Sequence, residues 1–249
     1  MRFAAIADIH GNCAALQAVL EDIAGLGIRD IVNLGDCFSG PLEADRAGDL
    51  FLLLDMHAVQ TVRGNHDRYL IETPADALAS SDAHAHAQLA PRHLDWLRKL
   101  PFSTIYLDEI FLCHATPQDD NVYWLEQVSP AGHVFLKPLE EIEALADGIE
   151  QPLILCGHSH IPRAVQLSDG RLIVNPGSVG CPAYDDDKPF LHKVETGHAM
   201  ASYAVLEKTP AGDWVPEFHN VPYDHMAMSR LAAENGRSDW AMALATGRV

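Results

Sequence analysis

A chain of 249 residues can bury roughly 70–75% of its extended surface, enough for one large domain or two small ones. Its hydrophobic fraction of 48% and charged fraction of 21% exclude a disordered or fibrous polymer. Acidic residues outnumber basic ones 35 to 17, for a net charge of −18, which excludes a basic surface able to dominate nucleic-acid or anionic-membrane binding.

Short apolar runs alternate with stretches of helical period, the pattern of an α/β layered fold. Phe3 to Ala7 reads as a buried strand. Leu16, Val19, Leu20, Ile23 and Leu26 recur at three- and four-residue intervals and predict a helix ending near Gly25 or Gly27. Ile31 to Leu34 reads as a second strand. A helix from about Glu43 to His57 and a strand through Val59 to Val62 repeat the unit, giving two βαβ crossovers and a parallel sheet. From Thr73 to Leu100, the positions Leu89, His93, Trp96, Leu97 and Leu100 predict helices packed outside the sheet, with no chemistry assigned to them. Ile105 to Cys113 and Leu153 to Cys156 read as further core strands, with a helix from Pro138 to Ile149 between them. Val165 to Val174 predicts a hairpin turning at Ser168-Asp169-Gly170, and Asp185 to Pro189 an exposed loop. Ser202 to Glu207 and Trp214 to Val221 add two strands, and one helix from His225 to Ala245 closes the chain.

Cys13, Cys37, Cys113, Cys156 and Cys181 lie far apart with no C-x-x-C pair, as in a reduced, cytoplasmic protein. The N-terminus turns polar at Asp8, too early for a signal-peptide core, and no apolar run reaches membrane-spanning length. A single cytoplasmic domain over residues 1–249 is expected.

Metal-competent residues stand where the predicted core strands run out: Asp8 and His10, Asp36, Asn65 and His66, His114, then His158 and His160. Ligands of open α/β sheets bind beyond the carboxyl ends of strands, so these distant segments can converge. Residues two apart in an extended segment share a face, which lets Asp8 with His10, and His158 with His160, point to one site. Gly11, Gly35, Gly64 and Gly157 stand beside them, where tight turns are needed. Singly, each motif is commoner as a turn, a strand-end cap or a satisfied histidine. Together and in order, they point to metal. The imidazole, carboxylate and amide donors suit manganese, iron, zinc, nickel or cobalt rather than calcium, and so many ligands, seven without His66, exceed one tetrahedral ion but fit two ions sharing a carboxylate.

Asp8-x-His10, Gly35-Asp36, Gly64-Asn65-His66-Asp67, His114 and Gly157-His158-Ser159-His160 resemble the calcineurin-like metallophosphoesterase signature, in its small bacterial and archaeal phosphodiesterase-like branch. The resemblance runs from residue 8 to about 180. It implies a four-layer α/β/β/α sandwich of two mixed β-sheets flanked by helices. It also implies one ion on Asp8, His10, Asp36 and His160 and another on Asp36, Asn65, His114 and His158, with Asp36 bridging. His66 is implied to contact the phosphate and assist the leaving group rather than to bind metal. The stretch Asn175 to Gly180 also resembles such members and is expected to shape the pocket.

The expected activity is that of a metal-dependent phosphoester hydrolase, a phosphodiesterase or phosphatase, using two divalent transition-metal ions with manganese foremost. A hydroxide bridging them would be the expected nucleophile, with protonated His66 expected to donate to the departing oxygen. The expected partner is a small-molecule phosphoester, with nucleotides among the candidates; no membrane or strong nucleic-acid binding is expected, and a homo-oligomer is compatible. The alternatives are a dinucleoside polyphosphate hydrolase and a non-catalytic protein-interaction scaffold of the same fold. Protein phosphatases and symmetrical diadenosine-tetraphosphate hydrolases carry Gly-Asp-x-x-Asp-Arg-Gly at the second motif, where this chain has Gly35-Asp36-Cys37-Phe38-Ser39-Gly40-Pro41. The second Asp and the Arg are missing, so the residue orienting His66 is open, with Asp67 as a candidate. Arg63, Arg163, His192, Lys193 and His198 are candidate substrate contacts, and loops around 115–135 and 181–200 are expected to set substrate choice.

Overall fold

The first strand, β1 (Arg2–Ile6), is apolar at consecutive rather than alternate positions, and Phe3, Ala4, Ala5 and Ile6 are all buried. A strand with that pattern must be covered on both faces. The computed structural model, which describes residues 1–55 and 59–249, supplies both covers. Phe3 and Ala5 face Leu112, Leu155 and Val174 of a second sheet, whereas Ala4 and Ile6 face Leu16, Val19 and Ile23 of helix α1 (Cys13–Gly25).

The first sheet has the order β14 (Trp214–Val221), β13 (Ala201–Lys208), β1, β2 (Ile31–Asn33), β3 (Gln60–Thr61). β1, β2 and β3 are parallel, as the βαβ pattern predicts, and β13 joins β1 antiparallel with Ala4 opposite Val205. The second sheet has the order β4 (Ser103–Tyr106), β5 (Ile110–Cys113), β8 (Leu153–Leu155), β10 (Leu172–Asn175), β9 (Arg163–Gln166), parallel through β5, β8 and β10. Outside the first sheet lie α1, α2 (Ala44–Asp55) and α5 (Pro91–Leu97). Outside the second, Ile142 of α6 (Leu139–Leu145) and Trp124 cover Cys113, Ile154 and Ile173. The four-layer sandwich of two mixed sheets is therefore as expected. No helix among the described residues is long and apolar enough to cross a membrane.

Several elements differ from expectation. Ile105 to Cys113 is not one strand but the β4–β5 hairpin, turned by Leu107 and Asp108 at φ of 52° and 61°. Positive φ at both central residues matches a hairpin's twist, but Leu-Asp lacks the glycine or asparagine that usually signals such a turn. Asp185 and Asp186, expected in a loop, belong to β11 (Ala183–Asp186), paired with β12 (His192–Glu195). The β6 (Glu126–Val128) and β7 (Val134–Leu136) hairpin was not foreseen. The closing helix is two, α7 (His225–Glu234) and α8 (Ser238–Thr246), reversed at Gly236, where φ is 76°. They lie side by side, with the Ser229 hydroxyl donating to the Ala241 carbonyl at 2.7 Å. The expected end of α2 at His57 lies outside the described residues.

Candidate metal centre

The strands that end at the site are β1, β2 and β3 of one sheet and β5 and β8 of the other, so both sheets deliver side chains to one edge of the sandwich. The backbone there is strained. Asp8, His10, Asp36, His158 and His160 all adopt positive φ, between 50° and 70°. For non-glycine residues this left-handed region is sparsely used and costs of order 1–3 kcal/mol each, and such residues concentrate at functional sites. The expectation that Asp8 with His10, and His158 with His160, share a face through an extended backbone is thus corrected: each is turned inward by a left-handed kink. Backbone bonds hold the kinks, with Asp8 N–H donating to Gly35 O at 3.0 Å and His10 N–H to Asp36 O at 2.9 Å.

The result is two triads whose donor atoms lie within 4.8 Å of one another, Asp8 with His10 and His160, and Asp36 with His114 and His158. Asp36 Oδ2 faces both, 3.9 Å from His10 Nε2 and 3.3 Å from His114 Nε2. Asn65 Oδ1 sits 3.0 Å from His114 Nε2, adding an amide oxygen to the second triad.

The chemistry of these atoms fits a divalent cation at each triad. His10 Nδ1 donates to Ser39 O at 3.0 Å and His160 Nδ1 to Cys181 O at 2.8 Å, so in both neutral rings Nε2 carries a bare lone pair. Those two nitrogens face each other at 3.3 Å, and burial holds both rings neutral, His10 at about 4 and His160 well below its usual value. Asp8 Oδ1, fully buried, has no hydrogen-bond donor, and burial together with the Asp36 charge pushes the Asp8 carboxyl up to about 8. Opposed lone pairs and an orphaned buried carboxylate oxygen are costly unless a cation satisfies them. At the second triad His114 Nδ1 donates to Leu34 O at 2.7 Å. Against its own desolvation, Asp36 raises His114 to about 10, so a proton on Nε2 answers the same oxygens that a cation would.

Beside the triads, His66 sits in the first turn of α3 (Asn65–Glu72), with its backbone N–H on Asp36 Oδ1 at 2.9 Å. Its Nδ1 donates to Asp82 Oδ1 at 2.9 Å, with the Ser39 hydroxyl oxygen at 3.2 Å, which leaves Nε2 free to act. Against desolvation, Asp36 and Asp82 push the imidazole above its ordinary pKa and favour the proton-carrying form. Asp82 lies in α4 (Ser80–Gln88), a stretch to which the sequence assigned no chemistry, and it was missed because a single buried Asp in an alanine-rich helix carries no motif. Asp67, the sequence candidate for orienting His66, does something else. Its carboxylate accepts from the N–H groups of Asp36, Cys37 and Gly64 at 2.8, 2.9 and 3.0 Å, fastening the second motif to the third.

A cavity of about 1000 Å³ opens over the triads. None of Arg63, Arg163, His192, Lys193 and His198 lines it. Arg163 pairs with Glu126 at 2.8 Å, Arg63 with Glu72 at 3.6 Å, and buried His192 accepts from the Tyr123 hydroxyl at 3.0 Å. Its cationic walls are Lys137, Lys188 and Arg237 instead. The stretch Asn175 to Gly180 braces the site from behind, the Ser178 hydroxyl on Asp8 O at 2.8 Å and Asn175 Nδ2 on Gly157 O at 2.7 Å.

Residues 1–197 match the model of the calcineurin-like phosphoesterase superfamily domain. The chain is 26% identical to an uncharacterised protein of Methanocaldococcus jannaschii, over 95% of this chain and 94% of the relative. A metallophosphoesterase of Sphaerobacter thermophilus superposes with a TM-score of 0.75 at 26% identity, over 99% of each chain. A hypothetical protein of Pyrococcus horikoshii shares the fold, with a TM-score of 0.76 at 20% identity over 99% of this chain and 98% of that one. Fold, strand-end residues and family match agree: the chain belongs to the calcineurin-like phosphoesterase superfamily.

Proposed function

We propose that the protein hydrolyses a small, soluble phosphoester at a centre of two divalent transition-metal ions, as a single cytoplasmic domain. The observation that carries this reading is the pair of triads, both faced by Asp36 Oδ2, at the floor of a cavity large enough for a small molecule. Asp8, His10, Asp36 and His160 would hold one ion and Asp36, Asn65, His114 and His158 the other, with manganese the first choice among metals that accept nitrogen and oxygen donors. Bound there, two such ions supply Lewis acidity, which activates water near neutral pH and offsets charge on the phosphoryl oxygens.

The chain's own residues supply the rest. Asp82 keeps the Nδ1 proton of His66 in place, so Nε2–H is presented to the cavity and donates its proton to the leaving oxygen as the P–O bond breaks. The walls include Tyr69, Tyr184 and Trp240, surfaces on which an aromatic leaving group or a nucleobase can lie. The cavity's size also keeps a second reading in play, hydrolysis of a dinucleoside polyphosphate, which needs room for two bases.

The test is hydrolysis of a chromogenic phosphodiester and a monoester by metal-stripped protein, with manganese, nickel, zinc or magnesium restored separately. Turnover that returns with metal and falls by about 10²–10⁴ in His66→Ala, at unchanged metal content, is expected. Folded protein that binds two ions yet hydrolyses neither ester nor a dinucleoside polyphosphate would overturn the hydrolase reading in favour of a scaffold.

A further inference from the structure

The superfamily match ends at residue 197, yet the cavity wall continues into α8 with Arg237, Asp239, Trp240 and Ala243. The indole of Trp240 meets the ring of His10 edge-on, with centroids 5.9 Å apart, so the start of α8 stands directly over the first triad. Arg237 precedes that helix and reaches the other side of the site. Its Nη1 lies 2.6 Å from the Ser81 hydroxyl, and Ser81 is the neighbour of Asp82, the partner of His66.

Charge makes this guanidinium unusual. Around the cavity stand Asp36, Glu126, Asp185, Asp186, Asp187 and Asp239 against Lys137, Lys188 and Arg237. The Lys137 ammonium is committed to the Tyr123 carbonyl, and Lys188 follows the three aspartates on an exposed turn. Arg237 is only about a fifth exposed and is held rigid. Asp239 grips Nε and Nη2, at 3.0 and 2.6 Å, while Ser80 and Ser81 take Nη1. Four of its five N–H groups are thereby used, and among the described residues the last Nη2–H has no acceptor. A planar fork fixed on one edge, with a donor to spare and a displaceable serine hydroxyl on the other, suits a phosphoryl oxygen.

We infer that Arg237, at the N-terminus of α8, binds the substrate's phosphoryl group beside His66. This rests on the phosphoester reading of the same site. Asp239 positions the guanidinium through Nε and Nη2, and the phosphoryl oxygens take the free Nη2–H and displace Ser81 from Nη1.

Binding of inorganic phosphate to manganese-loaded protein, followed by calorimetry with metal content measured alongside, tests this without turnover. Arg237→Met should weaken phosphate affinity about tenfold or more at unchanged metal content, through loss of the guanidinium's charge-assisted hydrogen bonds to the phosphoryl oxygens. Arg237→Lys should recover part of that affinity. Ser80→Ala/Ser81→Ala, which cuts the tie between α8 and α4 but keeps the guanidinium, should stay within about threefold of wild type. Equal affinity in Arg237→Met and wild type would overturn the inference. So would a loss in the serine double variant as large as in Arg237→Met, since that marks a structural tie alone. Wild-type protein that binds phosphate through Arg237 but hydrolyses no ester would sink the hydrolase reading and leave the phosphate site standing.

Discussion

His66 Nδ1 and Asp82 Oδ1 are 2.9 Å apart, although they come from different helices, and Asp82 is 1% exposed while the His66 side chain keeps about a third of its surface open to the cavity. A buried carboxylate with one imidazole to serve fixes that ring's tautomer and orientation. Asp82→Asn keeps the volume but loses the charge. We expect kcat to fall by about 10–100-fold, in the range for loss of a group that orients a catalytic or metal-bound imidazole, with KM changed little and both metal ions retained. Wild-type kcat in this variant would remove Asp82 from the catalytic arrangement.

Asp36 faces both triads through one carboxylate oxygen, and its replacement separates a dinuclear centre from two independent sites. Asp36→Asn should bind fewer than two manganese ions per chain after dialysis, with esterase activity lost. Both ions retained at wild-type affinity would show that the triads do not share this residue. Native mass spectrometry or elemental analysis reads the count.

How much of this was legible in the sequence follows from what each feature depends on. β1, β2, β8 and the gathering of the polar residues behind them were readable because apolar runs ending in Asp, Asn or His beside glycine are local patterns. The β4–β5 turn was not, because Leu107 and Asp108 reach positive φ without the residues that favour it. The left-handed kinks at Asp8, His10, Asp36, His158 and His160 were equally hidden, since Asp and His favour that region too weakly to signal it and the surrounding backbone bonds enforce them. Asp82 and Arg237 enter the site only through tertiary packing, from helices that look like exterior cladding, and no spacing in the chain connects them to His66.

Asp67 carries a stability prediction. It is fully buried, and its carboxylate is the acceptor for three backbone N–H groups, those of Asp36, Cys37 and Gly64. Asp67→Ala strands all three donors, and each buried unsatisfied group costs about 1–3 kcal/mol. A loss on the order of 3–5 kcal/mol in urea unfolding is expected, since relaxation and entering water return part of the sum. Asp67→Asn should cost less, about 1–3 kcal/mol, because its amide oxygen can keep Asp36 and Gly64 while its NH₂ opposes the N–H of Cys37. A smaller loss for Ala than for Asn would contradict this account of the residue.

Gly64 and Gly25 make a paired test of how closely the site is packed. A Cβ on Gly64 would stand 2.1 Å from Asp36 Oδ1, which the His66 N–H holds at 2.9 Å, and 2.5 Å from the Asp36 backbone nitrogen. The backbone is extended there, at φ −87°, so the obstacle is contact and not conformation. Gly64→Ala must therefore displace the Asp36 carboxylate or the start of α3, and either movement spoils the approach of Asp36 to both triads. Reduced metal stoichiometry together with a lowered Tm is expected. Gly25 lies in the last turn of α1, and a Cβ there would meet nothing within 4 Å, so Gly25→Ala should raise stability by about 0.5 kcal/mol through reduced unfolded-state entropy and leave metal binding unchanged. If Gly64→Ala bound two ions and melted with the wild type, the tight apposition of the second and third motifs would not be what holds Asp36 in place.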